Sequence, residues 1–282
     1  MTLHFEYDLH GSRGKSLCGL AHTLACYVED DLGHAKRTSG RLATEEGITH
    51  TLVKLVDSWK GVPTIKVVEV GRKEESITGA DLEVWFTAQD NDETYSRGWL
   101  VQSKRTDGRG WLDSLGHEVE NKAGVKEYQY DLLIKAASAV PLLEPMYFFY
   151  ADCGTSRLAS HGEAISVVSA ETVKGIHGLR GRTGLASTPC SGGGADHVGR
   201  SSWKDLETLF HAECYDTSLA SARSLASFWC AGHESVESDL RRSDDNGQAI
   251  APTYATGDEL GPTRLDVNYL VHIDISQDPL FS

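Results

Sequence analysis

The sequence predicts an α/β protein in which helices flank a mixed central sheet. Residues 79–86 and 98–105 are rich in Val, Trp, Phe and Leu and are joined by a polar turn, which is typical of two antiparallel strands. An amphipathic pattern over residues 42–59 predicts a helix before them. The dense apolar run at residues 145–150 is typical of a strand buried on both faces. Together these segments predict a sheet with helices packed against it.

The helix at residues 42–59 begins with a polar turn that is of functional interest. Thr44 can cap its N-terminus, and Glu45 and Glu46 follow in the first turn, where the helix dipole favours anions. In one interpretation, both acids do no more than stabilise the start of the helix. Alternatively, Glu45 lies on the apolar stripe and needs a partner such as a metal ion, because burying an unpaired carboxylate is costly. The stripe itself consists of Ile48, Leu52, Leu55, Val56 and Trp59.

The other elements are predicted from periodicity and from turn residues. Residues 1–40 are expected to be partly helical, and residues 65–70 to form a strand. Residues 111–140 are expected to hold one long helix or two short ones, with a break near Gly124. In the second half we expect strands at residues 165–168 and 265–274 (the latter half-buried), helices at residues 170–176, 203–215 and 218–229, and a loop at residues 178–200.

Composition narrows the class of protein. The chain has 282 residues, 40% of them hydrophobic, which is ordinary for a globular protein. Its net charge of −14 is unusual for a nucleic-acid binder, because basic surface normally supplies most of that affinity. The six cysteines never form a C-x-x-C pair, which favours thiols in a reducing cytosol over a zinc site. We expect neither a signal peptide nor a membrane helix, and hence a cytoplasmic protein.

Three polar side chains are expected to meet at one end of the strand pair. Asp81 starts the first strand, and Gln102 and Lys104 end the second strand two residues apart, so that they share a face. Antiparallel pairing places the start of one strand beside the end of the other. Carboxylate and amide oxygens are hard ligands for Mg²⁺, and an ammonium group can steady a phosphate or an attacking hydroxide. The arrangement suits a phosphodiesterase site that uses a divalent metal.

The pattern formed by Asp81 and Gln102-x-Lys104 resembles the PD-(D/E)xK nuclease superfamily. It is most similar to the variant seen in Mrr-type restriction enzymes, in which Gln replaces the acid. The resemblance covers residues 42–150, where the expected order of helix, three strands, helix and strand is the core order of that fold. The chain is also similar to uncharacterised bacterial proteins with a Gly-Ala-Asp strand, a Gln-x-Lys strand and a helix that begins Gln-x-Asp-Leu-Leu. The resemblance implies a restriction-endonuclease-like αβββαβ core with a mixed central sheet flanked by helices.

The resemblance also implies a division of the chain and a set of roles. Residues 1–152 would hold the N-terminal helix and the nuclease-like core, and residues 153–282 a C-terminal α+β elaboration packed on the same core. The protein would be an endonuclease or exonuclease that hydrolyses phosphodiester bonds with Mg²⁺ or Mn²⁺, on DNA in preference to RNA, in a bacterial anti-phage defence or restriction role. The residues with catalytic roles would be Asp81, Gln102, Lys104, Glu45 and Glu46. The metal ligands would be Asp81, Gln102, the backbone carbonyl of Ser103, and Glu45. The residues that contact the substrate would be Gln129, Arg105 and Arg109.

Two other classes of function stay open at this stage. Replacing an acid with Gln102 removes a negative charge and weakens metal binding, so the fold could serve a catalytically inactive nucleic-acid-binding or sensor protein. The third class is a structural partner or a toxin–immunity component of a bacterial defence cluster, which rests on family analogy alone. A homodimer and defence-system partner proteins both stay open. No membrane partner is expected.

Overall fold

The computed structural model describes residues 17–38, 44–59, 64–69, 78–90, 93–105, 111–112, 116–120, 124–150, 164–183, 201–202, 223–224 and 267–274. The helices in these residues are α1 (Leu17–Thr38), α2 (Glu45–Asp57), α3 (Gln129–Ser138) and α4 (Ala170–Thr183). The strands are β1 (Thr64–Glu69), β2 (Leu82–Asp90), β3 (Glu93–Arg105), β4 (Trp111–Leu112), β5 (Glu118–Glu120), β6 (Lys126–Tyr128), β7 (Leu143–Tyr150), β8 (Ile165–Ser169), β9 (Ser201–Ser202), β10 (Arg223–Ser224) and β11 (Tyr269–Asp274).

A seven-stranded mixed sheet forms the centre of the described structure, in the order β1-β11-β2-β3-β7-β8-β10. Strands β2 and β3 form the predicted antiparallel pair, and β7 lies parallel to β3 on its other side. Strand β11 is parallel to β2 and antiparallel to β1. The expected α/β class, with a mixed central sheet between helices, is confirmed.

Each face of the sheet has its own apolar core. One core joins α1 and α2 to the side chains of β2 and β3 that include Val84, Phe86 and Val101. The other core joins α3 and α4 to the opposite face, where Leu100 and Tyr147 are fully buried. Successive residues of a strand point to opposite faces. The parity of a residue on β2, β3 or β7 therefore decides which helices it contacts.

Helix α2 forms for the reasons that its sequence suggests. The Thr44 side chain accepts a hydrogen bond from Gly47 N at 3.1 Å and caps the first turn. Ile48, Leu52 and Val56 are buried against the sheet. The predicted helix is therefore confirmed, and its N-terminus lies next to the end of β3.

Strand β11 shows how the far end of the chain joins the sheet. It lies between β1 and β2, and Asn268 N donates to the carbonyl oxygen of Asp81 at 3.0 Å, just before the strand begins. The predicted strand is present, and residues 271–274 keep the predicted alternation between buried and half-buried side chains, whereas Leu270 departs from it. Leu270 and Val271 are adjacent and both buried, because each faces one of the two cores.

Three predicted elements need correction. The expected helical start of residues 111–140 is wrong, because β4 and the antiparallel β5–β6 pair occupy it and α3 begins only at Gln129. Gly124, with φ of +76°, allows the reversal between β5 and β6. The expected helix at residues 218–229 includes β10, which is extended and pairs with β8. The loop expected from residue 178 begins later, since α4 continues to residue 183. The expected helix at residues 203–215 lies outside the described residues.

Candidate metal and catalytic site

The pairing of β2 with β3 places Asp81 opposite Gln102. Leu82 pairs with Val101, and Asp81 N donates to Val101 O at 2.9 Å one position earlier. Asp81 therefore shares a sheet face with Gln102, and by alternation with Lys104. This is the face that α3 covers.

Asp81 and Gln102 contact each other directly. Asp81 Oδ2 accepts hydrogen bonds from Gln102 Nε2 at 2.9 Å and from Ser103 N at 2.7 Å. Gln102 Nε2 also donates to the carbonyl oxygen of Ser103 at 2.9 Å. All three residues are buried. The structure therefore brings together the predicted carboxylate, amide and backbone carbonyl.

Gln129, the first residue of α3, completes this buried network. Its Nε2 donates to Gln102 Oε1 at 2.7 Å, and its backbone N donates to His117 O at 2.9 Å. Gly79, with φ of +66°, lets the chain approach α3 closely, since a Cβ there would lie 2.9 Å from Gln129 O. Among the described residues, no group hydrogen-bonds Gln129 Oε1. Gln129 was expected to contact substrate, whereas the structure places it on Gln102.

Lys104 and Glu45 meet at the end of β3. Lys104 Nζ lies 3.6 Å from Glu45 Oε2, and Arg105 N donates to Glu45 Oε1 at 3.4 Å. Lys104 is buried, while Glu46 is exposed on α2. Of the two acids expected near the site, Glu45 therefore points to the strand end and Glu46 points to solvent.

A cluster of three hydroxyl groups lies on the opposite face of β3. Thr49 Oγ1 lies 3.2 Å from Ser103 Oγ and 3.0 Å from the Tyr150 hydroxyl, and Ser103 Oγ lies 3.1 Å from that hydroxyl. Burial raises the pKa of Tyr150 far above its ordinary value of 10, despite these hydrogen bonds, and the charges of Asp81 and Glu45 add to the shift. Tyr150 therefore stays neutral and holds Ser103, the residue between Gln102 and Lys104.

Tyr147 is a residue of the site that the sequence pattern did not reveal. It pairs with Gln102 across β3 and β7 and lies on the same face. Burial, then the charge of Asp81, raises its pKa above the ordinary value of 10. Its hydroxyl hydrogen-bonds no described group. Tyr147 and Tyr150 belong to residues 145–150, the apolar run that predicts a buried strand. Their hydroxyl groups are the feature of the sequence that could have indicated a place in the site.

Of the two arginines expected to contact substrate, Arg105 lies within the described residues. Arg105 follows Lys104, and its Nε and Nη1 are buried without hydrogen-bond partners within the described chain. Such N–H groups are costly to leave unpaired, so an anion at this position would be favourable. Arg109 lies outside the described residues.

The chemistry of the donors decides whether a divalent cation fits. Asp81 Oδ2 and Ser103 O each lie 2.9 Å from Gln102 Nε2. Oxygens about 2.9 Å apart form the edge of an octahedron with the bond lengths of Mg²⁺. A half-turn of the Gln102 amide would put its oxygen where its nitrogen now lies, 2.9 Å from each of these two oxygens. Such a turn needs little room, since the two ends of an amide differ little in shape. The donors therefore fit Mg²⁺ or Mn²⁺ once the amide is turned. Within the described chain, no group of three or more His, Cys, Asp or Glu side chains could hold a metal.

Among the helices that the structure describes, none combines the length and the apolar character needed to cross a bilayer.

Comparisons with known proteins place the chain in a family. A comparison with curated proteins gives no match. A family described as "Family of unknown function (DUF6615)" matches residues 17–211, which is more than half of the chain and includes Asp81, Gln102 and Gln129. The chain therefore belongs to this family.

Proposed function

We propose that this protein is a Mg²⁺- or Mn²⁺-dependent nuclease that hydrolyses phosphodiester bonds of DNA. The observation that carries the proposal is the buried network of Asp81, Gln102 and Ser103, whose hydrogen bonds are 2.7 to 2.9 Å long. Lys104 lies two residues further along the same face of β3. A carboxylate, two carbonyl donors and an ammonium group are the components that such a site requires.

The topology around the site supports the proposal. Helix α2, strands β1, β2 and β3, helix α3 and strand β7 have the order of a restriction-endonuclease-like core, with the short strands β4, β5 and β6 inserted between β3 and α3. Strands β2 and β3 are antiparallel, and β3 and β7 are parallel. The chain departs from a simple core because β11 lies between β1 and β2. We infer that β11 is an addition that fixes the backbone of Asp81 from the side.

Each side chain has a role in the proposed reaction. Asp81 and the Ser103 carbonyl would hold the cation, and Gln102 would join them after its amide turns. When bound, the cation supplies Lewis acidity that acidifies water and offsets phosphate charge. Lys104 would bind the phosphate and orient the attacking water, and Glu45 keeps the Lys104 ammonium group at the end of the strand. Arg105 offers two buried nitrogen donors, Nε and Nη1, to a neighbouring phosphate.

A second function, binding without catalysis, is favoured by one specific observation. Gln102 directs its amide nitrogen, not its oxygen, towards Asp81 and the Ser103 carbonyl. That orientation satisfies the carboxylate without a cation. The net charge of −14 also opposes tight binding to a polyanion. A sensor that uses the same fold would show metal-independent binding to a nucleic acid or protein.

Cleavage assays separate the two functions. Purified protein with Mn²⁺ is incubated with supercoiled DNA, linear DNA and single-stranded RNA, which also separates endonuclease from exonuclease activity. We expect DNA cleavage, and at least a 100-fold loss in Asp81→Asn and Lys104→Ala, because each removes a charge that the reaction uses. The matched controls are Asp57→Asn and Lys54→Ala, which change exposed residues of α2.

The outcome is decided by comparing variants with controls. Asp81→Asn keeps an oxygen that can accept from Ser103 N, so circular dichroism and thermal unfolding should show a folded protein. Cleavage that survives in both site variants would contradict the proposed active site. A wild-type protein that binds DNA but does not cleave it at any Mn²⁺ concentration would select the sensor function instead.

A further inference from the structure

We propose that Gln129 is a positioning residue whose amide turns together with that of Gln102, so that the pair switches between a closed state and a state that binds the cation. The inference rests on the proposed metal site and adds its regulation. It is built on one hydrogen bond, from Gln129 Nε2 to Gln102 Oε1 at 2.7 Å, and on one buried atom without a partner, Gln129 Oε1.

The described structure corresponds to the closed state. Gln102 Nε2 donates to Asp81 Oδ2 and to Ser103 O, each at 2.9 Å, and Gln102 Oε1 accepts from Gln129. Every hydrogen-bonding end of the Gln102 amide is therefore used. Turning the amide without a cation would break these three hydrogen bonds and bring three oxygens together. The closed state is thus favoured when no cation is bound.

The turned state requires both amides to move. After a half-turn, Gln102 Oε1 would face Asp81 Oδ2 and Ser103 O. The attraction of a cation for these three oxygens would offset the repulsion between them. Gln102 Nε2 would then face Gln129 Nε2, and two N–H groups cannot bond each other. A half-turn of Gln129 restores the bond, since its Oε1, which has no partner in the described structure, becomes the acceptor. The cation, Gln102 and Gln129 are thereby coupled.

The surroundings of Gln129 confine its freedom to this turn. Its backbone is fixed by the bond from its N to His117 O and by the close approach of Gly79 to its carbonyl oxygen. Gln129 is 2% exposed, so its amide has no bulk water to exchange with. Only a side chain that carries a donor and an acceptor at one end can serve both states. Glutamine has this property, whereas glutamate, as an acceptor, fits only the turned state.

A cycle of variants tests the coupling through Mn²⁺ affinity rather than activity. The wild type, Gln129→Glu, Gln102→Glu and the double variant are titrated with Mn²⁺ by calorimetry. We expect Gln129→Glu to tighten Mn²⁺ binding about tenfold, because it holds Gln102 in the turned orientation and removes the cost of leaving the closed state. In the Gln102→Glu background the ligand is an oxygen in either orientation, so Gln129→Glu should give no further tightening.

The results separate this inference from the proposed function. Equal tightening in both backgrounds would show that the added charge acts by itself, and no tightening in either background would show that Gln129 does not control Gln102. In both cases the switch is wrong while the metal site stands. Absence of Mn²⁺ binding in all four proteins would overturn the metal site and the switch together.

A measurement on the wild type covers the case in which a buried glutamate prevents folding. Neutron diffraction from deuterium-exchanged crystals distinguishes an amide nitrogen from an oxygen. With Mg²⁺ bound, we expect the nitrogens of Gln102 and Gln129 to have exchanged places with their oxygens, relative to crystals without Mg²⁺. A Gln129 amide that keeps one orientation in both crystals would refute the coupled turn.

Discussion

Replacing Tyr150 with phenylalanine removes one hydroxyl group and nothing else from the buried centre of the protein. That hydroxyl lies 3.0 Å from Thr49 Oγ1 and 3.1 Å from Ser103 Oγ, so it takes part in two hydrogen bonds. Thr49 keeps its bond to Glu45 O at 3.0 Å. Each lost bond costs about 0.5–1.5 kcal/mol net, so Tyr150→Phe should lower the free energy of unfolding by about 1–3 kcal/mol.

Tyr147 provides a matched control on the same strand. Both tyrosine side chains are fully buried, but the Tyr147 hydroxyl has no hydrogen-bond partner among the described groups. A buried hydroxyl without a partner carries a desolvation cost of about 1–3 kcal/mol, which phenylalanine removes. We therefore expect Tyr147→Phe to leave the free energy of unfolding unchanged or to raise it. The same chemical change three residues apart should therefore lower stability at Tyr150 and not lower it at Tyr147.

Urea denaturation, followed by tryptophan fluorescence and circular dichroism together, measures both variants. Coincident curves establish that the transition is two-state, and an unchanged slope shows that the midpoint shift reports stability. We expect the midpoint of Tyr150→Phe to fall and that of Tyr147→Phe to stay or rise. A comparable loss in both variants would show that the Tyr147 hydroxyl has a partner, and the assignment of hydrogen bonds at the site would be wrong.

Three further predictions follow from buried groups near the sheet. Burial raises the pKa of Glu83 above 4.5, against the hydrogen bond from Trp85, so the wild type loses stability as pH rises from 4.5 through the folded pKa. Glu83→Gln should remove that loss. The urea midpoint of the variant should exceed that of the wild type by an amount that grows with pH and then levels off. A difference that stays constant with pH would contradict this. Burial lowers the pKa of His272 below 6.5, so the wild type loses stability as pH falls through 6.5, and His272→Gln should reduce the loss in thermal unfolding measured between pH 7.5 and 5. Gly79→Ala should cost at least about 1–2 kcal/mol, because φ of +66° and the nearby Gln129 oxygen both oppose a Cβ, whereas Gly175→Ala on α4, where a Cβ meets nothing within 4 Å, should not lower stability.

Local patterns predicted the part of the fold whose contacts are near in sequence. The stripe of α2 and the alternation of β2 and β3 depend on residues within one element or one turn. Strand β11 was identified, but its place between β1 and β2 was not predicted, because pairing between distant segments leaves no periodicity in either one. The burial of Leu270 as well as Val271 follows from that central place. The short β5–β6 pair was mistaken for helix because three-residue strands are too brief to show a period.

The site was predictable where pairing geometry alone decides it. Asp81 and Gln102 share a face and a position across β2 and β3, and the structure gives them a direct hydrogen bond. The direction of the Gln102 amide was not predictable, since it depends on Gln129, which lies 27 residues further along the chain. Glu45 was placed near the site with Glu46 as an alternative, and only the tertiary position of α2 distinguishes them.

Ser103 explains why the site is rigid on one side and adjustable on the other. Its side chain belongs to the hydroxyl cluster with Thr49 and Tyr150 on the α2 face. Its backbone N and O belong to the network of Asp81 and Gln102 on the α3 face. Since one residue joins both faces, the hydroxyl cluster fixes the backbone carbonyl against which the Gln102 amide can turn. Loosening that cluster with Ser103→Ala should therefore weaken Mn²⁺ binding through position alone, because the substitution leaves every proposed ligand atom in the chain.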